Sequence, residues 1–350
     1  MLFKMIDRKS SQSSQKNMIP ANSRVLVTGA CGSVGSALVH RLLEEGHTVC
    51  AFDQSEDGLF KLDQELKDGG CRLRLFLGNI RDEDRVRRAM DGVKIVFHCA
   101  ALKHVYISEY NPFEAMQTNI VGTNNVIQAA IAAGVERVVF TSSDKAVNPT
   151  STMGATKLLG ERLFIAANHF AGSHKTRFAC VRFGNVLNSN GSVLQIFRRQ
   201  LDNNLPLTIT SAGMTRFFIS MAQAVDLCLN AALRMVGGEI FVTSMGSCDI
   251  MSLAKAVSGE RPFQFIEIGH KPGEKLYEEL VTENEAPRTV LDGNTYVVLP
   301  DTIDIMPDDL RAKYTAYEKL PLLSTSLRSD EELLSETEVA SMLRSAGLIG

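Results

Sequence analysis

The stretch "VLVTGACGSVGSALV" (25–39) constrains this chain more than any other. The apolar run "RVLVTG" (24–29) leads into it. Gly29, Gly32 and Gly35 follow in the spacing T-G-x-x-G-x-x-G. A helical pattern then carries Val34, Leu38 and Leu42 at i+4 steps and stops at Gly46, a natural C-cap. A strand that enters a glycine turn and leaves as a helix puts unpaired backbone N–H groups at one point, where a pyrophosphate can sit. The second apolar run, "TVCAFD" (48–53), ends at Asp53. A carboxylate there suits the ribose hydroxyls of an adenosine and repels a 2′-phosphate, and no arginine follows directly in "FDQSEDG". The expected cofactor is therefore NAD rather than NADP.

Four more short apolar runs follow at "RLRLFL" (72–77), "KIVFHCA" (94–100), "RVVFTSS" (137–143) and "RFACVRF" (177–183). Helical patterns separate them, including "NIVGTNNVIQAAIAAG", which stops at Gly134. Strands alternating with helices predict an α/β fold, a doubly wound parallel sheet of Rossmann type. Residues 186–216 and 249–300 are richer in Gly, Pro and Asn and predict a smaller C-terminal α/β domain for the substrate. The expected division is a flexible arm over 1–20, a cofactor domain over 21–185 with a return segment at about 217–248, and a tail over 301–350 whose last helix, "EVASMLRSAGLIG", docks on the body.

Composition excludes other classes. The 350 residues carry a net charge of −3 with both signs mixed, which argues against a nucleic-acid or anionic-membrane partner. The seven cysteines lack C-x-x-C spacing, are odd in number and sit mostly in apolar runs, as reduced thiols of a cytoplasmic protein do. No run of about twenty apolar residues predicts a membrane span, and no histidine spacing implies a metal.

The motifs "TGACGSVG", "GNIRD", "HCAALKHV", "NPFEAMQTNIVGTNNV", "SSDKAVNPTSTMGATK", "RFGNVLNSNGSV", "MTRFF" and "KPGEKLYEEL" occur in one order between about residues 23 and 300. In this the chain resembles the extended short-chain dehydrogenases that act on nucleotide sugars, and within them the UDP-N-acetylglucosamine 4,6-dehydratases of polysaccharide biosynthesis. The sequence departs from the family's usual pattern at Asn79 (commonly Asp), Tyr106 (commonly Pro), Ser143 (commonly Thr) and Lys271 (often Arg). An amide oxygen at Asn79 can still accept a bond from adenine, and Lys271 keeps charge while losing bidentate recognition of phosphate.

The resemblance implies a redox-neutral lyase reaction. A sugar C4 hydroxyl is oxidised, the C5 proton is removed, the C6 hydroxyl leaves as water, and hydride returns to C6. The implied cofactor contacts are Gly29, Gly32, Ser33, Val34, Gly35, Asp53, Asn79, Ile80, Ala100, Ala101, Lys103 and Lys157. The implied substrate contacts are Lys103, His104, Asn185, Ser192, Val193, Arg216 and Glu274, with the backbone of Gly191 beside them. Arg216 would meet the diphosphate and Glu274 a ribose hydroxyl. Asn119 matches an asparagine that supports a relay water in the wider superfamily.

Met153 is the departure that matters for chemistry. In a simple short-chain dehydrogenase a tyrosine stands there and a lysine four residues on, here Lys157, lowers its pKa. Met153 has no proton to give. Asp144 and Lys145, with Ser143 beside them, are the acid–base pair that a dehydratase needs and a simple dehydrogenase does not, and a subset of the resembled family carries this methionine. The expected catalytic set is Ser143, Asp144, Lys145, Met153 and Lys157. The other readings are a nucleotide-sugar 4-epimerase and a non-catalytic NAD-binding sensor or scaffold. A homo-oligomer is the expected assembly.

Overall fold

The structure, a computed structural model, describes residues 19–66, 72–171, 174–306 and 308–349. Six parallel strands form its centre: β1 (Arg24–Thr28), β2 (Thr48–Asp53), β3 (Leu73–Leu77), β4 (Ile95–His98), β5 (Arg137–Thr141) and β6 (Arg177–Arg182). They coincide with the six apolar runs. β1, β2, β4, β5 and β6 are almost wholly buried, so their sequences read as continuous Val, Ile, Phe and Ala rather than as alternation.

Their order across the sheet is β3-β2-β1-β4-β5-β6. The chain reverses direction of travel between β1 and β4, so the loops leaving those two strands diverge and open a crevice at the carboxyl edge. Helices cover both faces. Ser33–Glu44 packs against Met221–Arg234, while Glu83–Ala89, Gly122–Ala132 and Thr152–Phe170 pack in a row.

Ile240–Thr243 extends the sheet beside β6 in parallel, and Thr295–Val298 and Thr289–Asp292 continue it antiparallel. The strands of 249–300 are therefore divided, because the last two complete the large sheet instead of the smaller layer expected of that stretch. The smaller layer has its own sheet, Gly246–Asp249, Thr215–Ile219 and Asn185–Val186, and its own apolar cluster around Leu194, Phe197, Leu253 and Phe218.

The termini depart from expectation in part: residues at both ends enter the main core, while the last helix docks as expected. Most of the arm expected over 1–20 lies outside the described residues, but Ile19 is buried in the main core. In the tail, Tyr314 and Tyr317 are buried in that same core. The final helix, Glu336–Ser345, opens on a Ser335–Glu338 capping box and buries Val339 and Leu343 against Ile250–Ser258. Among the described residues no helix is long and apolar enough to cross a membrane. The six described cysteines are free, four of them buried, and Cys71 lies outside the described residues.

Candidate active site

A cavity of about 1060 Å³ lies at the carboxyl edge of β1, β4, β5 and β6. The glycine turn forms its floor on one side. Gly29 sits at φ +67°, and a Cβ there would fall 2.7 Å from the Ala100 nitrogen in the loop after β4. A Cβ at Gly35 would fall 2.1 Å from the Gly29 oxygen. Both positions exclude a side chain, and the turn closes onto the first turn of the helix Ser33–Glu44. Asp53 braces it from β2. One carboxylate oxygen accepts from the Cys31 N–H at 2.9 Å and the other from the Ser55 N–H at 3.0 Å. The Cys31 thiol also bonds to this carboxylate, which keeps capacity to accept from a hydroxyl. Ser33, Val34, Asn79, Ile80, Ala100 and Ala101 line the same end. Asn79 gives its amide N–H to Gln54 and accepts from the Arg81 N–H. These donors, acceptors and open backbone fit an adenine dinucleotide.

At the other end, helix Thr152–Phe170 begins at Ser151, whose side chain caps the Gly154 N–H. Its first turn points Met153 and, four residues on, Lys157 at the cavity; both are buried. Lys157 Nζ donates to the Thr141 carbonyl at 2.8 Å and lies 4.6 Å from the centre of the Phe140 ring. Burial pushes its pKa down to about 8.

The chain leaving β5 turns through Ser143 into the single 3₁₀ turn Asp144–Ala146. Asp144 does not line the cavity, but its two neighbours Ser143 and Lys145 do. Its Oδ1 accepts from Ser143 Oγ at 2.7 Å and from Lys145 Nζ at 3.0 Å, while its buried Oδ2 has no partner. Lys145 Nζ also donates to Asn185 Oδ1 at 3.3 Å and lies 3.7 Å from Glu278 Oε1. Burial works against the Lys145 ammonium, but the attraction of Asp144 and Glu278 outweighs it and the repulsion of Arg216, so its pKa stands above the ordinary range.

The loop between Asn185 and Val193 crosses toward the glycine turn. The Asn190 N–H donates to Ser33 Oγ at 3.0 Å, and Lys103 Nζ donates to the Asn190 carbonyl at 2.8 Å. His104, Asn185, Gly191, Ser192 and Val193 line this side, and Ser192 Oγ is buried without a partner.

Three candidates are placed differently. Arg216 and Glu274 do not line the cavity. Arg216 is buried, and its guanidinium serves the carbonyls of Thr215, Lys275 and Leu276. Glu274 accepts from the Lys271 N–H. Asn119 sits in a π-helical turn, Gln117–Val121, and both its amide hydrogens are used: it accepts from the Leu102 N–H and donates to the Leu102 carbonyl and to Thr156 Oγ1. It ties the loop after β4 to the helix of Met153, where a relay role had been expected.

Two residues escaped sequence reasoning, Glu278, which faces Lys145 from outside the cavity lining, and Ser142, which lines the cavity. Glu278 lay within "KPGEKLYEEL" with nothing to set it apart from the glutamates around it. Ser142, whose buried Oγ has no partner, lay inside "SSDK" beside the serine that was chosen.

Over residues 25–300 the chain matches the family model described as polysaccharide biosynthesis protein. It is 44% identical over 312 residues to a protein of Methanocaldococcus jannaschii named as an uncharacterized membrane protein, covering 85% of this chain and 93% of that one. It is 39% identical over 277 residues to the UDP-N-acetylglucosamine 4,6-dehydratase (inverting) of Campylobacter jejuni, covering 79% and 82%. It is 36% identical over 331 residues to a protein of Rickettsia bellii named UDP-glucose 4-epimerase, covering 91% and 94%. Among solved structures, Pen from Bacillus thuringiensis superposes with a TM-score of 0.87 at 37% identity, covering 95% of this chain and 100% of that one.

Proposed function

Because the chain belongs to the polysaccharide biosynthesis protein family of extended short-chain dehydrogenases, among whose members are nucleotide-sugar dehydratases and epimerases, we propose that it is a 4,6-dehydratase of a nucleotide sugar, with UDP-N-acetylglucosamine as substrate. The observation that carries this reading is the Asp144–Lys145 pair, packed between Ser143 and Asn185 beside a methionine that cannot exchange protons. An epimerase that only oxidises and reduces C4 has no use for it.

NAD fits the glycine-turn end, held by Gly29, Gly32, Gly35 and Asp53, and neighbouring structures, a UDP-glucose 4-epimerase of Thermus thermophilus and MoeE5, were solved in complex with it. When bound, it supplies the hydride acceptor and donor of a redox-neutral cycle.

The protein supplies the protons. As found, the pair holds one transferable proton, on Lys145. Moving it across the 3.0 Å contact to Asp144 leaves a neutral amine and a carboxylic acid. Oxidation at C4 releases the hydroxyl proton to a relayed water. The amine is then the base for the C5 proton, acidified by the neighbouring ketone. It gives a proton back to C5 when C6 is reduced, and regains its charge from the proton the water carried away. The acid serves the departing C6 hydroxyl, with Ser143 Oγ, 2.7 Å from Asp144 and lining the cavity, as its outlet. Met153 contributes an apolar wall, and Lys157 contributes positive charge near Thr141. Members with this methionine form the subgroup to which we assign the chain, and a soluble homo-oligomer acting in the cytoplasm is the setting we propose for it.

The test is direct. Purified protein is incubated with UDP-N-acetylglucosamine and the product is weighed by mass spectrometry. Loss of one water is expected. An isomer of unchanged mass would establish the epimerase reading that the Rickettsia relative's name favours, and no product at all would leave a binding protein.

A further inference from the structure

We propose that Glu278 is a positioning residue for Lys145, and that the C-terminal segment around Ser329, beyond the family-matched residues 25–300, sets it in place. The role rests on the reading of Lys145 as the proton carrier.

Glu278 is 2% exposed. Its Oε1 lies 3.7 Å from Lys145 Nζ and 3.9 Å from Arg216 Nε, and its Oε2 lies 3.4 Å from Lys275 Nζ with no hydrogen bond of its own. The groups around Lys145 are Asp144 from its own turn, Asn185 from the short strand, Arg216 from Thr215–Ile219 and Glu278 from the segment before Glu279–Val281. Three cations thus share two carboxylates. With Glu278 gone, Asp144 alone would face Lys145 against the push of Arg216. A buried cation that loses one of two counter-charges is released from its place or gives up its proton.

Glu278 cannot hold this position by local structure, because it precedes a strand of only three residues. Ser329 holds it. The Glu278 N–H donates to Ser329 Oγ at 2.9 Å, and the Ser329 N–H returns a bond to the Glu278 carbonyl at 2.9 Å. Ser329 Oγ is also 2.9 Å from Thr215 Oγ1 and 3.2 Å from the Thr215 carbonyl. With Thr215 Oγ1 and the Glu278 N–H as donors and the Thr215 carbonyl as acceptor, every capacity of this sealed hydroxyl is used. One serine of the tail therefore fixes the residue before Arg216 and the backbone of Glu278 together. Arg328, pairing with Glu279, extends the clamp.

The test needs no turnover. Trace labelling with acetic anhydride across pH, quantified at each lysine by mass spectrometry, titrates Lys145 directly, with the exposed Lys94 as internal standard. In Glu278→Gln the half-labelling pH of Lys145 should fall by about one unit, so that at a fixed lower pH it takes about tenfold more label. Glu278→Asp should recover part of the shift, and Ser329→Ala should move Lys145 in the same direction. A Lys145 profile unchanged in folded Glu278→Gln overturns the proposal; if that variant does not fold, an unchanged profile in Ser329→Ala does so. Turnover is a separate arm. Wild-type protein inactive on UDP-N-acetylglucosamine would sink the dehydratase reading, while a shifted label profile would still establish the positioning role. In active protein, the basic limb of the pH–rate profile should move with the label.

Discussion

His98 makes the stability of this fold depend on pH in a way that can be calculated. It ends β4 at the switch point and is sealed from solvent. Nδ1 lies 2.7 Å from Thr28 Oγ1 and Nε2 3.0 Å from Thr123 Oγ1. Thr123 gives its hydroxyl proton to the Asn119 carbonyl, so it accepts from Nε2–H, and Thr28 donates to Nδ1. Both nitrogens are used by a neutral ring. Burial first, and the Lys157 charge second, push its pKa from 6.5 down to about 3. Between these values the unfolded chain binds a proton that the folded chain refuses. The stabilisation is therefore fully present above pH 6.5 and is lost as pH falls through the folded pKa. Over the whole window this is on the order of 5 kcal/mol, and between pH 7 and 5 about 2 kcal/mol, a large share of the roughly 5–15 kcal/mol that holds a domain. Urea unfolding of wild type and His98→Gln at pH 7, 6 and 5 measures it. The variant should start less stable and lose about 2 kcal/mol less between pH 7 and 5. His47, buried with neither ring nitrogen bonded and its pKa lowered by burial, adds slope in the same direction, but equally in both proteins. Identical slopes would refute the assignment of a neutral, proton-refusing His98.

Gly35→Ala drives a methyl into the Gly29 carbonyl. It should cost about 1–3 kcal/mol of stability by overpacking and abolish co-purification of NAD, read by chromatography of the denatured supernatant; retained NAD would mean the turn can shift to accommodate a side chain. Met153→Leu keeps an apolar wall and should retain most turnover. Asp144→Asn should lose about 10²–10⁴-fold, with NADH absorbance rising and persisting in single-turnover mixing if elimination alone is blocked; an active Asp144→Asn beside a crippled Met153→Leu would refute the relay.

Local chemistry was legible in the sequence where it was contiguous. β1, its glycine turn and its helix declare themselves because each residue's role depends on its immediate neighbours: a Cβ at Gly29 or Gly35 is excluded by backbone a few residues away or by the loop the turn meets. Five of the six parallel strands were equally plain, since burial on both faces leaves an unbroken apolar run, while β3 is an edge strand with no buried residue. The adjacency of Asp144 and Lys145 was visible for the same reason. The π-turn at Gln117–Val121 was not, because a single extra residue in a helix leaves the apolar spacing almost intact.

Side chains whose surroundings are set by distant partners were the ones the sequence could not place. Asn119 matches a relay-supporting asparagine in the sequence, and in the fold Leu102 and Thr156 take both of its amide hydrogens and one bond to its oxygen. For Arg216 the resemblance implies a diphosphate contact, and the fold adds bonds from its guanidinium to the carbonyls of Thr215, Lys275 and Leu276. Glu278 was passed over because one glutamate in "LYEEL" resembles any solvated acid until Ser329 is seen to clamp it beside Lys145. A motif names the groups that can carry charge, whereas the state of each charge is fixed by what the fold brings against it. Lys145 is the case in point: its sequence neighbour Asp144 marks it as half of a pair, but its resting charge also depends on Glu278 and Arg216, which reach it from separate parts of the chain.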